Sequence, residues 1–415
     1  MAVQLLGPAA VDDVDAARVT DLPTRKVTRI VSYCNGGMGG SVPNTTTTVN
    51  TQAGFRFAVR LPVNSIRWRF RCRNYDMFQS ATRTAPTGKG IKFGQAELVT
   101  TGAGTTSYTG NFVGSTATTI VGSDFTIPGD GTWYASDWVT DPASQFVAGT
   151  HHLVAIGYTV PSSTAVLNTW GECFYWSSYT SALDPTVTAG STIPTGIPLD
   201  FVIEYECVSS RSAWLVIGDS IAEGVTGNRG NSTTPARVPI PTWRNYPNLW
   251  AARNNALVCN MSLAGMQTWQ YMPATWPQFF SRMDLASAKL DGAFIATGSN
   301  DLYAATPTRT LAQFQGDIAN LVAQVRTTIG SDKPIYYGAI IPRTSNTIRN
   351  QANDWLASLP YGAAGFVDFN AVMSTTLDAT ALPADLTTDS IHPTFKGLEH
   401  MAAAMGGVVS PVRNM

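Results

Sequence analysis

From Ile66 to Arg73 apolar and charged residues alternate one by one, with Ile66, Trp68, Phe70 and Cys72 on one side and Arg67, Arg69, Arg71 and Arg73 on the other. A period of two is that of a strand with one face in a core. Shorter β-prone runs follow at Phe112–Val113, Thr118–Val121, Trp133–Tyr134, Leu153–Tyr158 and Phe201–Val208, punctuated by Gly-Asp-Gly, Pro-Gly and clusters of Thr and Ser. No helical stripe interrupts them. Residues 25–210 are therefore predicted to form an all-β sandwich, jelly-roll-like in type. Residues 1–24 fit neither this pattern nor the next and read as an arm or linker.

Beyond Arg211 the pattern changes. Ala213–Ile217 is a continuous apolar run, as a parallel strand buried on both faces requires. Tyr246–Asn254 reads as helix, Ala256–Met261 as strand and Gly292–Thr297 as a third buried strand. Thr308–Ile329 places Leu311, Phe314, Ile318, Leu321, Val322 and Val325 at helical spacing. Lys333–Ile341 and Ala364–Phe369 are further strands, with helix over Gln351–Leu359 between them. Alternation of this kind predicts an α/β fold with a doubly wound parallel sheet over residues 211–415. The boundary between the two textures falls near Val208–Ser212.

Composition narrows the class. Apolar residues make up 44% of the 415, enough for proper cores, which excludes wholesale disorder. Charged residues are 13%, and 27 Lys+Arg against 28 Asp+Glu leave a formal charge of -1. No global basic field exists to gather nucleic acid or an anionic membrane. Low charge with abundant Thr, Ser and Gly fits an outward-facing β-rich protein. Cys34, Cys72, Cys173, Cys207 and Cys259 are odd in number and scattered, so they read as small buried hydrophobes. The opening residues lack the pattern of a secretory leader, and no apolar run approaches the ~20 residues of a membrane span. The expectation is a soluble protein, working outside a cell or on a virion without a Sec signal.

Ligands of an open parallel sheet gather at the carboxyl ends of its strands. The first strand ends in Gly218-Asp219-Ser220, the second leads to Gly265, and the third ends in Gly298-Ser299-Asn300-Asp301. Asp389-Ser390-Ile391-His392-Pro393 follows the last. These residues suffice for acyl transfer. A serine hydroxyl needs a base, which His392 supplies, and Asp389 three residues earlier can orient the imidazole. The backbone N–H groups of Ser220 and Gly265, with the Asn300 amide, can receive an oxyanion.

This set, in this order, resembles the SGNH hydrolases, also called GDSL esterases or lipases. The resemblance spans Ala213 to the C-terminus and implies a flavodoxin-like catalytic fold. It implies Ser220 as nucleophile, His392 and Asp389 as its partners, and Ser220, Gly265 and Asn300 as the oxyanion hole. It further implies an acyl-serine intermediate and neither metal nor cofactor. Asp219 and Asp301 read as braces of their loops. The stretch Thr226–Arg244 is longer and richer in Gly, Pro and Thr than a compact member needs, which bears on the cleft.

The expected substrate is an acylated, chiefly acetylated, polysaccharide or glycoconjugate, with no nucleic acid partner and no membrane span. The opening arm and Thr/Gly-rich sandwich also resemble phage tail components. A virion-borne esterase is thus one setting, with a homotrimer or other tail proteins as assembly partners. The competing reading is a receptor-binding or tail structural protein with little or no catalysis. His151 and His152 are adjacent in a strand, point to opposite faces, and cannot share a metal. The arginine face is read as solvated or paired with acids, for which Asp124, Asp130, Asp137, Asp141, Glu172, Asp184, Asp200, Glu204 and Glu206 are the candidates, with an anionic glycan or a subunit interface as alternatives. Trp133, Tyr134, Trp138, Trp170, Phe174, Tyr175, Trp176 and Tyr179 are either core or a sugar-stacking surface. All four motifs lie beyond Arg211, so a fragment starting near Val208 is expected to hydrolyse small esters if it folds.

Overall fold

The computed structural model describes residues 26–33, 52–75, 82–100, 106–161, 168–169, 173–188, 197–224, 245–275, 278–303, 308–343, 347–374, 376, 379–387 and 389–410. The predicted arm over 1–24, Cys34, Trp170 and the stretch Thr226–Arg244 lie outside them.

The N-terminal half is strand-rich. Val27–Tyr33, Asp200–Ser209, Arg67–Arg73 and Tyr134–Ala135 form one antiparallel sheet in that spatial order. A larger antiparallel sheet is built on Gln52–Arg60, His151–Thr159 and Thr87–Thr100. Aromatic side chains from the two sheets meet. The Phe57 ring centroid lies 4.2 Å from that of Phe201 and 6.2 Å from that of Phe70, and Trp68 lies 5.1 Å from Phe93. The alternation read at Arg67–Arg73 holds, since Trp68, Phe70 and Cys72 are fully buried. Ile66 departs from it. It is half exposed, because the strand begins only at Arg67. A five-residue helix, Tyr179–Leu183, also interrupts the expected run of strands. Glycine permits its close packing, for a Cβ on Gly54 would lie 2.4 Å from the Ala182 Cβ.

The arginines are paired with acids. Register sets Arg67 opposite Glu206, Arg69 opposite Glu204 and Arg73 opposite Asp200. Arg69 Nε lies 2.6 Å from Glu204 Oε2, while Arg71 also bonds Glu204 and Arg67 bonds Glu206. Trp138 lies beneath the Arg67 and Arg69 guanidiniums at 4.4 and 4.6 Å, and Trp133 beneath those of Arg71 and Arg73 at 4.7 and 4.2 Å. Cation–π stacking and cross-strand ion pairing therefore use the same four side chains. Arg73 goes further than the pattern suggests and is wholly buried.

The C-terminal half contains a five-stranded parallel sheet in the spatial order Ala256–Asn260, Ser212–Gly218, Gly292–Ala296, Ile335–Gly338, Gly365–Val367. Numbered along the chain this is 2-1-3-4-5, the doubly wound order in which ligands bind beside the first strand. Helix Leu311–Ile329 buries Phe314, Ile318, Leu321, Val322 and Val325 of the stripe read from the sequence, while Leu311 at its first turn is only partly buried. Helix Phe395–Val408, capped by Thr394, packs on the opposite side against Tyr246–Arg253. Among the described residues no helix is long and apolar enough to cross a membrane.

Buried charge joins the halves. Asp200 receives Arg73 Nε at 2.8 Å and Arg282 Nε at 3.0 Å, one arginine from each half. Arg29 reaches Asp291 Oδ2 at 2.8 Å, and the same oxygen accepts the Ala213 N–H at 2.9 Å. A fragment starting near Val208 would leave Arg282 and Asp291 without these partners, which argues against its folding alone.

Candidate active site

Strand Ser212–Gly218 is buried along its whole length and ends at the nucleophile turn. Asp219 caps the one-turn helix Ser220–Glu223, its Oδ1 accepting the Ile221 N–H at 3.0 Å. Gly224, at φ 102°, stops the helix after that turn. The Tyr271 hydroxyl donates to the Gly218 carbonyl and holds the turn from the other side.

His392 arrives from the far end of the chain. The Asp389 Oδ1 accepts the backbone N–H groups of Ile391 at 2.9 Å and His392 at 2.7 Å, closing a tight turn. Its Oδ2 stands 2.7 Å from His392 Nδ1, and His392 Nε2 stands 2.9 Å from Ser220 Oγ. Partial burial alone would raise the Asp389 carboxyl, but the bonds from the His392 ring, its N–H and that of Ile391 outweigh this and hold it below its ordinary value. An ionised Asp389 only accepts, so Nδ1 carries the proton and Nε2 is left to accept from Ser220. That is the arrangement a serine nucleophile requires.

The second strand carries its pairing past its own end. Met261 N–H bonds the Val216 carbonyl at 2.8 Å and Leu263 N–H the Gly218 carbonyl at 3.0 Å, which brings Gly265 beside the serine turn. Gly265 has φ 80°, a conformation that costs glycine nothing. Ala264 N–H is received by Glu223 Oε2 at 2.5 Å.

Two residues beyond the third strand stands Gly298, with φ 112°, where a Cβ would lie 2.6 Å from Ile340 Cδ1. Only glycine fits. Asn300 Nδ2 then donates to the Met266 carbonyl at 2.9 Å, linking this loop to the one carrying Gly265. Asp301 is buried and accepts the Thr268 N–H at 3.0 Å and its hydroxyl at 3.2 Å. Burial, partly offset by those bonds, pushes Asp301 up to about 7; burial likewise takes Asp219 to about 6. Both acids hold loops in place, in line with their reading as braces.

All five residues singled out, Ser220, Gly265, Asn300, Asp389 and His392, therefore meet at one edge of the sheet. Glu223, Thr268, Tyr271 and Arg343 also hold the site and were not singled out. Arg343 follows the fourth strand, and the rule that pointed to the other strand ends points there too. Its Nη1 donates to Asn300 Oδ1 at 3.1 Å. His151 and His152 part as expected. His151 Nδ1 meets the Tyr108 hydroxyl at 2.6 Å, while His152 is buried and stacks on Phe93 at 4.9 Å. Burial pushes both imidazoles down to about 4. The described cysteines, Cys72, Cys173, Cys207 and Cys259, are buried, in line with their reading as small apolar side chains.

Residues 216–399 match the model of the GDSL-like Lipase/Acylhydrolase family. The C-terminal half contains a GDSL-like lipase/acylhydrolase domain. The protein is an SGNH-type ester hydrolase. No curated protein matches the sequence. Among solved structures the chain is similar to a carbohydrate acetylesterase from Sinorhizobium meliloti, at 17% identity over 48% of this chain and 97% of that one, with a TM-score of 0.36. It is also similar to a family two carbohydrate esterase from Clostridium thermocellum in complex with cellohexaose, at 16% identity over 91% and 97% of the two chains and a TM-score of 0.38. A third is a family 2 carbohydrate esterase with its carbohydrate binding domain from Corynascus thermopiles, at 13% identity over 92% and 98% and a TM-score of 0.41. In the GDSL-like domain, the match begins inside the first parallel strand and ends on the last helix, so it encloses every residue of the candidate site.

Proposed function

We propose that the GDSL-like domain hydrolyses acyl esters of carbohydrates, acetyl esters foremost, through an acyl-Ser220 intermediate. The observation that carries this reading is the unbroken hydrogen-bonded chain from Ser220 Oγ through His392 to Asp389. Ser220 Oγ attacks the ester carbonyl carbon while His392 Nε2 takes its proton. The carbonyl oxygen becomes an oxyanion received by the backbone N–H groups of Ser220 and Gly265 and by the Asn300 amide. Collapse breaks the bond to the alkoxy oxygen, and His392 returns the proton to the departing alcohol. Water, deprotonated by the same imidazole, then releases the acid and frees Ser220.

A carbohydrate substrate is favoured by the strand-rich half that accompanies the hydrolase, read as a jelly-roll-like accessory sandwich over 25–210 beside a catalytic half over 211–415. Arginines occupy Trp133 and Trp138, Tyr134 stacks on Phe125 at 4.0 Å, and Phe174 and Trp176 are buried, so Tyr175 and Tyr179, both half-buried, are the described rings proposed to stack on sugar. Action outside a cell or on a virion extends this reading, supported by low charge and the Thr/Gly-rich texture.

The test joins labelling to turnover. A fluorophosphonate probe should modify Ser220, located by mass spectrometry, and Ser220→Ala should abolish hydrolysis of p-nitrophenyl acetate and of acetylated glycans. Label on another serine, or activity surviving in Ser220→Ala, would overturn the mechanism. Turnover of long-chain lipid esters but not of acetylated glycans would overturn the substrate class alone.

A further inference from the structure

Arg343 is the charged side chain at the site that the acyl-transfer scheme leaves without a task. It follows strand Ile335–Gly338 and reaches the sheet edge where Asn300 sits. Its Nη1 lies 3.1 Å from Asn300 Oδ1 and 3.0 Å from Ser299 Oγ. Its guanidinium carbon stands 4.0 Å over the Tyr303 ring. Burial lowers the guanidinium from its ordinary value, against the pull of Asp219, Tyr303 and Asp389.

A carboxamide has nearly the same shape either way round, so its partners decide which end faces where. At Asn300 the Met266 carbonyl receives Nδ2 and Arg343 donates to Oδ1. Turned over, the amide would set oxygen against a carbonyl and nitrogen against a cation. Both contacts would become repulsive. With Oδ1 held by the arginine and one Nδ2 hydrogen by Met266, the second hydrogen remains for an oxyanion. A charged donor on Oδ1 also draws electron density from the amide, which makes that hydrogen a stronger donor.

We propose that Arg343 is a positioning residue that locks and polarises the Asn300 amide as an oxyanion donor. The inference rests on the reading of Asn300 given above. It acts in the transition state, where charge develops, and so bears on kcat more than on KM. Tyr303 and Ser299 keep the guanidinium in place between turnovers, so the amide is oriented before substrate arrives.

A double-variant cycle on p-nitrophenyl acetate, a neutral ester, tests this. Arg343→Ala should lower kcat roughly 10–100-fold, the scale of one charge-assisted hydrogen bond, with KM within about twofold. Arg343→Lys should recover part of the loss, since an ammonium can donate to Oδ1 but lacks the planar group that stacks over the Tyr303 ring. The variant carrying both Asn300→Ala and Arg343→Ala should be no slower than Asn300→Ala alone, because the arginine would have nothing left to orient. Losses that multiply would show that Arg343 acts independently and overturn the proposal. A raised KM with unchanged kcat would do the same, making it a substrate contact. Full activity in Asn300→Ala beside a dead Ser220→Ala would instead refute Asn300 as an oxyanion donor, an outcome read from the single variant before the cycle is closed. If Arg343→Ala does not fold, Arg343→Gln, which keeps a neutral donor, replaces it in the same cycle.

Discussion

Glu223 accepts the Ala264 N–H at 2.5 Å across 41 residues of chain, tying the helix that begins with Ser220 to the loop that carries Gly265. Nucleophile and oxyanion donor are thereby held by one buried carboxylate. Glu223→Ala should leave that N–H buried without this acceptor, costing about 1–3 kcal/mol of stability. It should also lower kcat, because Gly265 is freed to move. Thermal melts with steady-state kinetics check both. A variant with normal stability and normal kcat would show that the tie is dispensable.

Asp389 does more than fill the turn. Its Oδ2 holds Nδ1 of His392 and so decides which ring nitrogen is left to face Ser220. Asp389→Asn can donate to that nitrogen and favours the wrong tautomer, so kcat should fall by about 10²–10⁴ with the melting temperature little changed. Stopped-flow measurement of acylation by p-nitrophenyl acetate reads this directly. Loss of folding without loss of acylation rate in the folded fraction would reduce Asp389 to a structural residue.

Buried acids beneath the site make stability depend on pH in a definite direction. Burial raises Asp301 to about 7 and Asp219 to about 6, from an ordinary value of 3.8. Between these limits the folded chain binds protons that the unfolded chain has released. Stability present below about pH 4 is therefore lost as pH rises through about 7. His151 and His152, lowered to about 4, pull the other way over the same range, so the contribution of the acids is read as a difference. Between pH 5 and pH 8 the melting temperature of Asp301→Asn should rise relative to that of the unsubstituted protein, since a neutral amide does not titrate. An unaltered slope in Asp301→Asn would assign the pH dependence to other groups.

Asp200 stands between Arg73 and Arg282, all three buried. Asp200→Ala would leave two arginines of opposite halves close together with this shared carboxylate gone, a loss of about 3–5 kcal/mol. Calorimetry should show a lower melting temperature for the whole chain, as a single transition, because the lost contact belongs to both halves. A variant in which only one of two separate transitions shifts would show that the halves unfold independently.

Strands could be read from sequence where the period of two was unbroken, as at Arg67–Arg73, or where an apolar run was continuous, as at Ala213–Ile217. Arg67–Arg73 alternates because one side meets the core and the other meets Glu204 and Glu206. Gln52–Arg60 is buried at all but its ends and Thr87–Thr100 is broken by glycines, so neither announced itself by period. The site residues were legible for a different reason. Each of Ser220, Gly265 and Asn300 follows a buried parallel strand, and His392 lies three residues from the acid that orients it. Local rules reach that far.

What the sequence determined by itself is what depends on near neighbours. The apolar runs that must be parallel strands, the glycines that must turn, and the Asp389–His392 spacing that one turn can bridge are all of this kind. Tertiary structure alone decided which side chains hold those pieces together. Glu223 finds Ala264, Arg343 finds Asn300, and Arg282 finds Asp200 across 41, 43 and 82 residues. No periodicity encodes such pairs. A buried charge is stable only where the fold supplies its partner, and that partner is chosen by how the sheets and loops pack, not by its place along the chain.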